Sequence, residues 1–286
     1  MTTTLKIRLP AIRDVLERLY HKYNRRELIK PDPLQFVYKY SNRADMEIAG
    51  LLSAVLAYGR VEQIQNSLTK LLSVIGESPH AFVMDFGPAQ RRKLRGFKHR
   101  FNSGDDISDL LSLLREIIEQ SGSIENYFLS GYSKADENII PALSNFSDSL
   151  LDRYAARHRG KIRSGLKYLL TSPSGGSACK RLNLFLRWMV RDDSVDAGLW
   201  KSVDKAKLVV PVDVHMGRLC RILGFHDNKT VSMKTALKIT AEFTEIEQDD
   251  PVKYDFSLSR VGIVENCTGK YNTSCEICEL FSFCFG

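Results

Sequence analysis

The sequence predicts an all-α fold on three observations. Apolar residues recur at three- and four-residue steps in segment after segment, the spacing of one helix face. No stretch sustains the period-2 alternation of a half-buried strand, and the apolar run 208–212 is too short to establish a sheet. Start and stop residues stand at the edges of these periods: Asp213 before one, Gly224 after it, and Asp250-Pro251 before another. At 286 residues with 43% hydrophobic content the chain fills a real core, which excludes a disordered polar chain.

In order, residues 5–23 carry Leu9, Ile12, Leu16, Leu19 and Tyr23 on one helix face, and Pro31-Asp32-Pro33 breaks the pattern. Residues 46–57 (MEIAGLLSAVLA), with Asn42 or Asp45 as cap, are apolar nearly all round and therefore central. Further helical periods cover 61–75, 107–118, 140–154, 181–190, 216–223, 231–243 and 252–264. Asp250-Pro251 predicts the start of the last, a cap followed by Pro at the first helical position. No fixed-period repeat and no low-complexity segment interrupts the series.

The net charge of +7 favours an anionic partner such as nucleic acid or a membrane surface. No apolar run approaches the roughly 20 residues of a membrane span. The start MTTTLKIRLP lacks the apolar core of a secretory signal, so a cytoplasmic location is expected. Two basic regions stand out, RRKLRGFKHR at 91–100 and the segment 153–167 with Arg157, His158, Arg159, Lys161 and Arg163. Each can be a solvated face, and together they suit phosphate contacts that weaken steeply with salt.

Of six cysteines, Cys179 and Cys220 lie in helical patterns and read as small buried hydrophobes. Cys267, Cys275, Cys278 and Cys284 crowd the last 20 residues with spacing C-x7-C-x2-C-x5-C. Four thiolates in one short loop make a ligand set for a [4Fe–4S] cluster or, alternatively, for tetrahedral zinc. Disulfides are the competing reading, disfavoured by a cytoplasmic location.

Two further residues are candidates for chemistry. In TSPSGGSACK, Gly175 and Gly176 form a tight turn whose N–H groups can approach a phosphate. Lys180 follows in the first turn of the next helix, where the helix dipole and Arg181 favour the neutral, nucleophilic amine suited to a Schiff base. In LVVPVDVHMGRLCRILGF (208–225), Asp213 caps the helix carrying Met216, Leu219, Cys220 and Leu223. A structural cap and a surface lysine are the plain alternatives for these two.

VPVDVHMGRLCRILGF resembles the segment of helix-hairpin-helix DNA glycosylases, the endonuclease III superfamily, that carries their essential aspartate. SGGSACKRLNLFL looks like their hairpin and helix, with Lys180 in the place of the lyase nucleophile. EIAGLLSAVLAYGRVEQI resembles their early buried helix and following loop. DFSLSRVGIVENC and the cysteine tail resemble the helix and iron–sulfur loop that end endonuclease III. Together these segments cover about half of the chain. The hairpin departs from the family's apolar-Gly-apolar-Gly pattern, and the first cysteine gap is one residue longer. The wide separation of Lys180 and Asp213 is closer to that in archaeal 8-oxoguanine DNA glycosylases.

The resemblance implies a helical barrel over 46–209 with the hairpin, and a second lobe from 1–45 plus 210–286 around the cysteine cluster. It implies a monomeric glycosylase with AP-lyase activity on damaged, double-stranded DNA, with the target nucleotide turned out of the stack. Lys180 would form the Schiff base and Asp213 would stabilise the positive sugar. Tyr58, Arg60 and Gln63 would line the base pocket, the cysteine loop would hold Lys270 toward a phosphate, and His215 would serve in packing or hydrogen bonding. Two other readings compete: a non-catalytic nucleic-acid-binding protein on the same scaffold, and a zinc-stabilised interaction protein.

Overall fold

A computed structural model describes residues 3–264 and 267–285. Met1, Thr2, Gly286 and the Glu265-Asn266 step of DFSLSRVGIVENC lie outside the described residues. Helix accounts for 63% and strand for 2%, so the fold is all-α in class.

The helices, in order, are α1 (Thr3–Tyr23), α2 (Arg43–Val55), α3 (Val61–Ile75), α4 (Pro79–Met84), α5 (Pro88–Leu94), α6 (Gly104–Ser121) and α7 (Ile124–Leu129). They continue with α8 (Ile140–Arg157), α9 (Ser164–Leu169), α10 (Lys180–Val190), α11 (Val214–Ile222), α12 (Met233–Ile246), α13 (Asp255–Val264) and α14 (Phe281–Phe285). Each of the nine periods read from the sequence falls on one of these helices. The short helices α4, α5, α7, α9 and α14 are the ones periodicity missed, because five to seven residues give too few turns to display a repeat. A two-residue hairpin, β1 (Lys98–His99) with β2 (Asn102–Ser103), was also unforeseen.

α2 is central, as its composition requires. Eight consecutive residues, 48–55, are buried, and α2 packs against α10. Asn42, not Asp45, caps it by accepting the Ala44 N–H. Its buried Glu47 accepts the N–H groups of Ile124 and Glu125, capping α7, and the indole N–H of Trp200. One expected boundary fails. Asp250-Pro251 opens a turn, and α13 begins only at Asp255, since the Asp250 side chain is committed to Arg191 instead of capping. α1 and α11 both pack on α13, and one continuous cluster of buried apolar residues runs from Ile12 to Leu280. No described helix is long and apolar enough to cross a membrane.

Candidate active site

Two helix starts meet across a cavity of about 780 Å3. Lys180 is the first residue of α10, launched by Cys179 in the left-handed conformation (φ 45°). Asp213 caps α11, its Oδ1 accepting the Met216 N–H at 2.9 Å. Its other oxygen, Oδ2, lies 3.2 Å from Lys180 Nζ. Both side chains line the cavity and are about one-third exposed, at 32% and 37%. The two oxygens of Asp213 thus divide their work: one holds the helix and the other holds the amine. Burial pushes the Asp213 carboxyl up, but the Lys180 ammonium and the Met216 N–H outweigh it and keep it below the usual carboxylate range. His215, exposed at the cavity edge, contacts Arg218 through Nδ1 at 3.0 Å.

Of the residues expected to line a base pocket, Tyr58 does so. Arg60 and Gln63 are exposed and outside the cavity wall, because the chain turns into α3 at Arg60 and carries them outward. The Tyr58 hydroxyl donates to the hairpin at Asn102 Oδ1 and His99 O, and its ring meets Tyr168 edge-on at 5.0 Å. Arg181 lies over both rings and donates to the Val55 and Tyr168 carbonyls. Phe101, 68% exposed at the hairpin tip, lies parallel to Tyr58. Sequence reasoning missed Tyr168, Phe101 and this role of Arg181. Aromatics interleaved with the basic run 91–100 were the available signal.

The glycine turn is corrected in part. Gly176 takes the left-handed conformation (φ 77°), and a Cβ at Gly175 or Gly176 would meet nothing within 4 Å, so the backbone is open to approach. Its N–H groups are not free, however: Gly175 donates to Ser172 O and Gly176 to Pro173 O inside the turn. Lys270 is exposed and outside the cavity wall.

The two basic regions converge. Arg91 and Arg163 pair with the same acids, Asp105 and Asp109 of α6. Arg157 pairs with Glu116. Part of the charge is therefore answered within the fold, while Arg92, Lys93, Arg95, Lys98 and Arg100 are exposed.

The four tail cysteines, Cys267, Cys275, Cys278 and Cys284, line one small hollow with Leu219, Val261 and Leu280. The Asn272 N–H points at Cys275 Sγ, 3.4 Å away. Burial, then the neighbouring Cys267 and Cys275, pushes the Cys284 thiol up. Among the described residues no three His, Cys, Asp or Glu side chains converge on a point suited to a single metal ion. Arg218 ties this loop to the Asp213 helix by donating to the Cys267 carbonyl. Cys179 and Cys220 are buried, and burial pushes the Cys179 thiol up to about 11.

No curated protein and no solved structure matches the chain. A family model described as "Protein of unknown function (DUF2400)" matches residues 32–264, a span that holds Lys180 and Asp213 and stops before the first tail cysteine.

Proposed function

We propose that the chain, which belongs to the DUF2400 family, is a DNA glycosylase with AP-lyase activity that takes an everted nucleotide into its cavity. The observation that carries this reading is the 3.2 Å approach of Lys180 Nζ to Asp213 Oδ2 within a cavity of about 780 Å3. That volume lies within the range of about 300–1,000 Å3 usual for small-molecule pockets. Asp213 Oδ2 accepts a proton from the ammonium, and the freed Nζ attacks C1′ of the sugar. The C1′–N bond breaks, and the base leaves with its electron pair and takes up the proton that Asp213 accepted, which restores the carboxylate. The sugar ring opens to an imine on Nζ, and loss of a C2′ proton expels the 3′ phosphate. Water then returns the amine. The Asp213 carboxylate faces the positive charge that grows on the sugar.

The basic face carrying Arg92, Lys93, Arg95 and Lys98 suits the DNA backbone. The finer architecture goes with this reading: a helical barrel over 46–209, and a second lobe formed by the remaining segments. Cys267, Cys275, Cys278 and Cys284 would hold a [4Fe–4S] cluster, which when bound braces the loop that presents Lys270.

Borohydride reduces an imine to a stable amine and so traps the enzyme on its substrate. The expected result is covalent trapping on abasic or damaged DNA that disappears in Lys180→Ala. A variant that traps as well as the parent overturns the assignment. The departure of the 174–177 turn from the family's hairpin pattern motivates a second reading, in which the scaffold binds nucleic acid without chemistry. It predicts salt-sensitive binding with no trapping on any lesion.

A further inference from the structure

The hairpin between α5 and α6 displays one ring. Its strands pair Lys98 with Ser103 and His99 with Asn102, so Arg100 and Phe101 are its two-residue tip. The residues behind the tip are clamped in the core. His99 is fully buried, with Nδ1 2.8 Å from Ser67 Oγ and Nε2 3.1 Å from the Tyr58 carbonyl. Asn102, also buried, donates to the Gly165 carbonyl at 2.9 Å and accepts from the Tyr58 hydroxyl. Arg100 takes the left-handed conformation (φ 49°), which is strained for a residue with a side chain. Buried polar anchors and a strained backbone thus hold Phe101 out at 68% exposure. Such a contact is preorganised, its ordering complete before a partner arrives.

Phe101 is joined to the cavity. Its ring centroid lies 5.8 Å from that of Tyr168 and 6.3 Å from that of Tyr58, and both tyrosines line the wall. A Cβ at Gly59, also in the wall, would come within 2.8 Å of Arg100 Cδ, so the arginine stem packs against the cavity's edge. Of the eight large hydrophobic side chains exposed among the described residues, Val61, Tyr168, Val214 and Val231 line this cavity, and Phe101 touches one of them. Exposed apolar surface is therefore gathered at one place, the mark of a contact surface. The charge beside it is positive. Lys98, Arg100 and Lys167 are exposed and pair with no described carboxylate.

Flat rings interleaved with cations fit the bases and phosphates of a nucleic-acid strand. In a paired duplex the base faces are covered by their neighbours, and only base edges reach the grooves. A side chain that enters a duplex must project past its supports, whereas Phe101 lies against two other rings as part of a shelf. The face of an unpaired base matches such a shelf.

We propose that Phe101, with Tyr58 and Tyr168 behind it, is a stacking shelf for an unpaired base, and that the substrate DNA is single-stranded where it crosses the cavity. This rests on the cavity receiving a nucleotide of that strand, and it replaces the double-stranded partner that the sequence resemblance implies.

Fluorescence anisotropy with labelled, undamaged oligonucleotides reads binding without chemistry. The parent is expected to bind a single strand at least about tenfold more tightly than a blunt duplex of the same sequence. Phe101→Ala and Phe101→Leu are expected to weaken single-strand binding about tenfold, as loss of one base–aromatic stack does, with the melting temperature unchanged. Their salt slope should equal the parent's, since the phosphate contacts are untouched. Phe101→Trp keeps a flat ring and is expected to bind within about twofold of the parent. Trp188 and Trp200 are buried, so the introduced indole is the exposed one, and single strand is expected to quench it where duplex does not.

A parent that prefers duplex overturns the proposal, as does single-strand binding that is unchanged in Phe101→Ala and Phe101→Leu. So does an indole quenched as strongly by duplex, which would make Phe101 a wedge in paired DNA. Borohydride trapping on an abasic site in each form separates the shelf from the chemistry. Single-strand binding that needs the ring, without any trapping, removes the Lys180 nucleophile and leaves the shelf standing. Trapping confined to duplex and indifferent to Phe101→Ala removes the shelf and leaves the nucleophile.

Discussion

Two ion pairs line one cavity, and they are built differently. Lys180 and Asp213 are 32% and 37% exposed, each at the start of a helix, held by one another and by a single cap bond. Arg187 and Asp255 are 2% and 5% exposed and belong to a network. In it Arg187 and Arg191 are shared among Asp193, Asp196, Asp250 and Asp255. The deep network joins α10 to the segment after it and to α13. Removing one of its charges strands the others away from water, which is costly. The shallow pair is screened, contributes little to stability, and can part without unfolding anything. A reacting amine belongs in the second setting and a scaffold charge in the first.

Lys180→Ala is the strongest test of this contrast. Trapping should fall by more than about a thousandfold, as when a covalent nucleophile is removed. The urea midpoint should correspond to a stability change within about 1 kcal/mol, the range for an exposed pair. A large loss of stability would make Lys180 a structural residue and erase the difference. Arg187→Met should do the opposite. Stranding Asp196 and Asp255 should cost about 3–5 kcal/mol in urea unfolding. A cost below about 1 kcal/mol would show that the deep carboxylates find other partners.

The contrast explains what the sequence disclosed. The shallow pair was legible because its two residues occupy helix starts, and helix starts are marked locally: Asp213 by the periodic run after it, Lys180 by the glycine turn before it. The deep network was not. Asp192, Asp193 and Asp196 belong to no helical period, and nothing local says that Asp193 and Asp196 turn inward to meet Arg187 and Arg191. Asp250 was read as a cap for the same reason, its partner Arg191 being 59 positions away. Among the expected pocket residues, Tyr58 faces inward while Arg60 and Gln63 do not, because the phase of a helix start shifts which side chains face in. Phe101 depends on a hairpin of two-residue strands, which has too few residues to carry a pattern.

Asp213 separates capping from charge. Asp213→Asn keeps a good cap, and stability should hold within about 0.5 kcal/mol, whereas Asp213→Ala should lose about 1 kcal/mol. Both should reduce trapping by about a hundredfold or more, since neither leaves a negative charge beside the sugar. Equal trapping by Asp213→Asn and the parent would reduce the carboxylate to a helix cap.

The smallest effect expected is in the pH dependence of stability, where the two settings have opposite signs. In the deep network four carboxylates share two guanidiniums and the Lys205 ammonium, 3.9 Å from Asp250, so negative charge is in excess, and burial pushes Asp196 up to about 6. Between its ordinary value of 3.8 and about 6 the folded chain then binds more protons than the unfolded chain at this residue. Stability should fall as pH rises through that window, with a slope of at most about 1.4 kcal/mol per pH unit for one proton. Asp213 is held low, so its contribution is complete above 3.8 and is lost only as pH falls below that value toward its folded pKa. Asp196→Asn should therefore flatten the urea-midpoint profile between about pH 4 and 6, and Asp213→Asn should alter it only below about pH 4. If Asp196→Asn leaves the upper window unchanged, the deep carboxylates are fully ionised there, and the excess charge is answered by a cation outside the network.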